Sequence, residues 1–372
     1  MKPLSVKFSC CLALFLQLLV AANASKAQSA SSFADSIRIK YNIPELGYAV
    51  VAADTVMEIQ VAGVQRIHTG QKATPEDRFR IGSNTKTITA YLARVMVKRK
   101  KIRWQTSFFD LYPELRPANS SAFGHLTLQD LLTFRVPLMS WTYTFSEPSR
   151  KEISGDNQHQ RYEFVKWVLQ QPPVQEKKEV YWSNPSYVAA GMMLEKVSGK
   201  SYEKLVAELG KELGIDFGFG APNLIGQHQP WGHNEELQPE KPSHNDKLNW
   251  LSSAGNVNVS LPGYAKFIQL QLNGLHGKSE VLSDDDFEDM HFGRPEFAYG
   301  WKWMVDADTK LRCSYHIGNP GTFLSKVYIY PDAGIAFIVF TNIQSEAAEE
   351  GTEVLLDELK HRYLMSGEWG KD

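Results

Sequence analysis

Segments that read as paired β-strands stand at both ends of this 372-residue chain, and most of what lies between them reads as helix. Near the start, Leu46–Ala53 and Val56–Gly63 flank an Asp54-Thr55 turn. Near the end, Ser325–Tyr330 and Ile335–Thr341 repeat the pattern across Pro331-Asp332-Ala333-Gly334. A lone hairpin is marginally stable in water. Four such strands therefore call for one antiparallel sheet that both ends of the chain complete. Helices are expected beside it over Phe33–Tyr41 and Glu346–Tyr363. The middle predicts helices over Thr85–Lys100, Thr127–Leu132, Tyr162–Gln170, Tyr187–Val197, Tyr202–Leu213 and Pro262–Leu272. The expectation is an α+β fold, with an α/β part from residues 33–85 and 296–365 and a large, mostly helical insertion over 86–295. A cleft is expected where the two parts meet.

The first residues serve another purpose. Lys2 and Lys7, the apolar run Phe8–Ala22 and the small-residue site Ala22-Asn23-Ala24 have the plan of a secretory signal peptide. This divides the chain into 1–24 and an exported catalytic part, 25–372, that is periplasmic or secreted; Ala27 offers a second cleavage point. An uncleaved anchor is the competing reading, but the run is short for a membrane span and no other follows, so none is expected in the mature chain. After cleavage Cys313 is the single cysteine left, which excludes an internal disulfide and leaves the fold to its core. A composition of 43% hydrophobic and 22% charged residues with a formal net charge of -2 points to no nucleic-acid partner. Lys98-Arg99-Lys100-Lys101 reads as the solvated cationic end of a helix. His228 and His233 lack the tight spacing of metal ligands, and no cofactor is expected. Nothing in the sequence fixes an oligomeric state.

Chemistry is concentrated in Phe79-Arg80-Ile81-Gly82-Ser83-Asn84-Thr85-Lys86, a Ser-x-x-Lys pattern at a helix start. Residues three apart share a helical face, so the Lys86 amine can reach the Ser83 hydroxyl. A serine hydroxyl is a poor nucleophile until a neighbour takes its proton. A lysine can take it if burial lowers its pKa. Backbone N–H groups at the helix start favour developing negative charge. The pattern is short, and Ser201-Tyr202-Glu203-Lys204 repeats it; there Ser201 reads as a helix N-cap. No Gly-x-Ser-x-Gly elbow is present.

With its neighbours, the Ser83 segment resembles the family that joins class C β-lactamases, D-alanyl-D-alanine carboxypeptidases and related esterases of the penicillin-binding-protein type. The ordered landmarks are Leu126-Thr127-Leu128-Gln129-Asp130-Leu131-Leu132, Tyr181-Trp182-Ser183-Asn184-Pro185, Gln229-Pro230-Trp231-Gly232-His233, Ser253-Ala254-Gly255-Asn256, Tyr299-Gly300-Trp301, His316-Ile317-Gly318 and Phe340-Thr341-Asn342. The resemblance spans about Phe33 to Tyr363. It implies a β-lactamase/transpeptidase-like fold, Ser83 as nucleophile, Lys86 as its helper and Asn184 as a substrate-orienting residue. It further implies an oxyanion hole from the backbone N–H groups of Ser83 and Asn319 on the strand carrying Gly318. His316 takes the family's His/Lys position, to orient substrate or add positive charge.

Three departures stand out. The family's Tyr-x-Asn is here Trp182-Ser183-Asn184, and an indole can donate a hydrogen bond but cannot act as a base. Tyr181 is one residue off, and Tyr143 on another loop is a second possible source of a hydroxyl. The family's His-Thr-Ser-Gly is here Phe134-Arg135-Val136-Pro137, and the glycine pattern after His316 is altered at Asn319. The expected function is an exported serine hydrolase that forms an acyl-enzyme from a small-molecule or peptide substrate, whether an ester, a peptide or a β-lactam, with activated esters favoured. The alternative is a non-catalytic relative that binds cell-wall peptide or a protein partner through the cleft.

Overall fold

The structure, a computed structural model, describes residues 29–365 apart from 118–122, 125, 225–227 and 242–245. The signal-peptide segment lies outside the described residues. A six-stranded antiparallel sheet forms the centre. Its strands are β1 (Glu45–Ala52), β2 (Val56–Gly63), β6 (Lys302–Val305), β7 (Arg312–Gly318), β8 (Leu324–Tyr330) and β9 (Ile335–Thr341), in the order β2-β1-β9-β8-β7-β6. Pairs such as Tyr48↔Val339 and Ala49↔Ile338 join the two ends of the chain, as the strand pattern required.

Both faces of this sheet are covered, and period-two alternation assigns each residue to a face. Ala49, Val51, Val327, Ile329, Ala336, Ile338 and Phe340 enter one core; Leu46, Tyr48, Val50, Tyr330, Ile335, Phe337 and Val339 enter the other. The second core is closed by α1 (Ala30–Lys40), through Ala34 and Ile37, and by the last helix (Glu346–Lys360), through Ala348, Leu355, Leu356 and Leu359. The first is closed by the middle of the chain. There α2 (Thr85–Lys98), α3 (Asn157–Gln170), α4 (Asn184–Ser198), α5 (Tyr202–Leu213) and α6 (Leu261–Leu275) are the longer helices. Each fully buried large apolar side chain contributes about 1.5–3 kcal/mol, so a strand like β9, buried at all seven positions, belongs at the centre. Arg161 on α3, fully buried, ties three helices together by binding Glu195 of α4 and Glu203 of α5.

The middle is less purely helical than expected. Short strands β3 (Arg78–Arg80), β4 (Gly218–Phe219) and β5 (Val257–Ser260) form a second sheet, ordered β3-β5-β4, with Phe79 opposite Val259. Runs of two to four residues, two of them bounded by arginine or glycine, carry too little alternation to be seen as strands. A further helix over Asp284–Phe292, set by a Ser283 capping box, was hidden in a run of acidic residues. The final helix proper ends at Lys360, and His361–Met365 continues as a π-turn.

Glu45 opens β1 fully buried, beside the acidic Asp77. Burial, and then the neighbouring carboxylate, hold its pKa well above the ordinary value. The folded chain thus keeps a proton that the unfolded chain releases above its ordinary carboxyl pKa. Stability contributed by this group is fully present below that value and falls as pH rises toward the folded pKa, by about 1.4 kcal/mol per pH unit at most. Glu45→Gln is expected to match or exceed the wild-type melting temperature at pH 8 and to lose that advantage at pH 4.5. Parallel melting curves across this range would show the carboxyl to be ionised in the fold.

Candidate active site

Ser83 owes its place to the small sheet. β3 leads through buried Ile81 into a 3₁₀ turn at Gly82–Asn84, and α2 follows directly. Gly82 adopts φ +49°, and a Cβ there would lie 2.8 Å from the Asn319 backbone nitrogen. Glycine is therefore required by both the left-handed backbone and the close approach. Ser325 of β8 fastens the turn: its Oγ donates to Ile81 O at 2.8 Å and accepts from Asn84 Nδ2 at 2.7 Å. Gly318 meets the same segment so closely that a Cβ would overlap Ile81 O. The turn bearing Ser83 and the strand end bearing Asn319 are thus held in contact, which brings together the two segments that carry the expected oxyanion-hole amides. The Asn319 side chain turns back to accept from Gly321 N at 2.9 Å.

Lys86 is the second residue of α2, one turn on from Ser83, and is 3% exposed. Its Nζ is 2.8 Å from Ser83 Oγ, 2.8 Å from Asn184 Oδ1 and 2.7 Å from Ala254 O. Asn184 Nδ2 donates to Trp141 O at 2.9 Å, which fixes the amide with its oxygen toward the lysine. Asn184 Oδ1 and Ala254 O can only accept. A neutral amine therefore spends its two N–H groups on them and presents its lone pair to the Ser83 hydroxyl. Burial brings the Lys86 pKa down to about 7. Asn184, expected to orient substrate, has its oxygen committed to holding this lysine.

His316 on β7 is 5% exposed, and its Nδ1 donates to Gly300 O at 2.7 Å. That bond leaves Nε2 unprotonated in the neutral ring. Burial, with the nearby Lys86 charge, depresses its pKa to about 3. The expectation that His316 adds positive charge is therefore corrected: at neutral pH it offers an acceptor.

These residues line a cavity of about 400 Å³ with aromatic walls that include Phe134, Trp141 and Phe145. Trp182 stands at its edge, 44% exposed, packed edge-on against Phe134 and Phe297. Tyr181 is turned away: its hydroxyl accepts from Lys178 N at 3.2 Å, and it does not line the cavity. Tyr143, beside Glu240 and Arg80, does not line it either. Among the described residues no tyrosine lines the cavity. Lys302, the first residue of edge strand β6, does line it, with Nζ 4.4 Å from the Trp182 ring centroid. Sequence reasoning missed Lys302; its one signal was position, directly after Tyr299-Gly300-Trp301. Ser201, in the second Ser-x-x-Lys, caps α5 by accepting from Lys204 N, and Lys204 is exposed.

The sequence matches the β-lactamase family over residues 21–360. Among curated proteins it is similar to protein flp of Staphylococcus aureus (strain NCTC 8325 / PS 47), at 22% identity over 315 residues. That match takes in 82% of this chain but 61% of flp, so the chain spans only that share of its relative's length. Among solved structures, the octameric penicillin-binding protein homologue from Pyrococcus abyssi aligns with a TM-score of 0.73 at 18% identity, covering 91% of this chain and 79% of that one. The class C β-lactamase from Rhodobacter sphaeroides aligns at 0.70 and 17% identity, covering 90% of this chain and 99% of that one. Such identities speak for the fold alone, whereas the family match extends over nearly the whole chain. With its mixed helices around an antiparallel sheet and its β-lactamase/transpeptidase-like fold, the chain belongs to the β-lactamase family.

Proposed function

We propose that this protein is an exported serine hydrolase in which Ser83 forms an acyl-enzyme and Lys86 takes its proton. The observation that carries this reading is the 2.8 Å contact between Lys86 Nζ and Ser83 Oγ, made by a buried amine whose other two contacts accept only. The Ser83 and Asn319 N–H groups would receive the carbonyl oxygen as it gains charge. An amine leaves poorly until it is protonated, whereas an activated phenol leaves as its anion. With no phenol in the cavity lining, the site favours activated aryl esters over peptides and β-lactams. Trp182 in place of a hydroxyl also supports the second reading, a non-catalytic relative that binds cell-wall peptide through the cleft.

Labelling separates the two. A fluorophosphonate or activated ester is expected to leave one adduct by intact-mass spectrometry. Ser83→Ala should abolish it and Ser201→Ala should not; an adduct that survives Ser83→Ala removes the assignment, and an unlabelled wild type supports the binding protein.

The pH dependence follows from Lys86. Its neutral form is the base, so kcat/KM for acylation by activated aryl esters should rise with pH through about 7 and then level. His316, held near 3, adds no limb at neutral pH. Lys86→Ala should slow acylation about 10²- to 10⁴-fold, the usual worth of a general base, with little change in melting temperature. Acylation at the wild-type rate in that variant would send the proton elsewhere.

Export is tested on the protein itself. N-terminal sequencing of material from an exported fraction should begin near Ser25 or Gln28. An intact Met1 on cytoplasmic protein would contradict it.

A further inference from the structure

We propose that Lys302 donates the proton to the departing ester oxygen, so that the site uses two lysines, one as base and one as acid. The inference rests on the serine-hydrolase reading above and extends it to esters whose alcohols are poor leaving groups.

The other groups that line the cavity are poorly placed to give up a proton. Ser183 Oγ already donates to Met139 O at 2.9 Å. Ser140 and Thr142 offer hydroxyls, which are hydrogen-bond donors but very weak acids. The Nδ1 proton of His316 is spent on Gly300 O, and burial keeps its ring neutral. The Trp182 indole does not titrate in water. Lys86 is pinned by Asn184 and Ala254, with its third position on Ser83 Oγ. That arrangement suits returning the proton to the serine. Lys302 remains.

Its surroundings suit the task. The ammonium sits over the face of Trp182, whose π-electrons attract it without taking its proton. Among the described residues no carboxylate pairs with it, and neither aspartate nor glutamate lines the cavity. Burial lowers its pKa from the ordinary lysine value, which makes it a stronger acid than an exposed lysine. An ester oxygen gains negative charge as its bond to the acyl carbon breaks, so a nearby ammonium stabilises it from the outset.

The steps balance. In acylation the Ser83 hydroxyl proton passes to neutral Lys86 as Oγ bonds to the acyl carbon. The acyl C–O bond then breaks, and the leaving oxygen takes a proton from the Lys302 ammonium to form the alcohol. In deacylation water attacks the acyl carbon and gives one proton to neutral Lys302. The bond to Oγ breaks, and Oγ takes its proton back from Lys86. The net reaction is ester plus water to acid plus alcohol, with both lysines restored.

The test is a leaving-group series of acetate esters, from 4-nitrophenyl through phenyl to ethyl, on the wild type, Lys302→Met and Lys302→Arg. Methionine keeps an apolar contact with Trp182; arginine keeps the charge but holds its proton too tightly to give it up. Read as kcat/KM, which reports acylation and not the deacylation that all acetates share, Lys302→Met should slow 4-nitrophenyl acetate by no more than about threefold and ethyl acetate by about 10² or more, the usual worth of a general acid. Lys302→Arg should fall between the two. In the wild type, kcat/KM for ethyl acetate should decline at high pH, below the ordinary lysine range, and that for 4-nitrophenyl acetate should not. An equal loss for all three esters, or none, would overturn the proposal and leave Lys302 a structural residue or Lys86 the donor. A loss that tracks a carboxylate on the acyl group would instead make Lys302 a substrate anchor. Fluorophosphonate labelling of Ser83 in each variant keeps the two claims apart, since failure of the wild type to label or to hydrolyse any ester refutes the hydrolase reading first.

Discussion

A lysine ammonium taken out of water gives up several kcal/mol of hydration, and at Lys86 the described residues offer in return three oxygen atoms and the face of the Tyr187 ring, 5.7 Å away. None carries a full negative charge, so the cheaper outcome is to lose the proton. Everything else in the site serves to keep that nitrogen dry and aimed. α2 is buried from Thr85 to Val95, which seals the stem of the lysine. The small sheet holds β5 against β3 and so sets the short helix Ser252–Gly255, which bears Ala254, beside it. The first turn of α4 supplies Asn184, itself locked by the Trp141 carbonyl. Pieces of chain some hundred residues apart in sequence thus converge on one amine. The fold's role is to make that convergence rigid.

The central sheet was legible because each of its longer strands announces itself. β9 is seven consecutive apolar or β-branched residues, and β1 pairs with it because both are buried on both faces. The place of Ser83 and Lys86 on a helix start was legible because the Ser-x-x-Lys pattern stands where the helical pattern of Thr85–Lys100 begins. Ser201 was separable from Ser83 because a cap needs only its own helix, whereas an activated serine needs partners.

What the sequence hid depends on distant contacts. β3 and β5 are too short for periodicity to register, yet they pair, with Phe79, Val257 and Val259 buried together in the first core. His316 reads as a cation by position, but its burial and the Gly300 carbonyl make it neutral, and neither is written near residue 316. Tyr181 was a plausible source of a hydroxyl until the backbone turned it toward Lys178. Lys302 had no motif of its own. Its partner Trp182 is 120 residues earlier, and the pair exists only once edge strand β6 reaches the mouth of the cavity. The tryptophan that looked like a loss in sequence proves to be one half of an interaction.

The central claim, that Lys86 sits in its fold as a neutral amine facing Ser83, can be tested without any substrate. Side-chain ¹⁵N NMR of lysine-labelled protein, followed as a function of pH, reports each amine's protonation separately. The account predicts one resonance titrating at about 7 that disappears in Lys86→Met. If the Lys86 resonance instead titrates at about 10.4 with the solvent-exposed lysines, the amine is charged at neutral pH and cannot be the base.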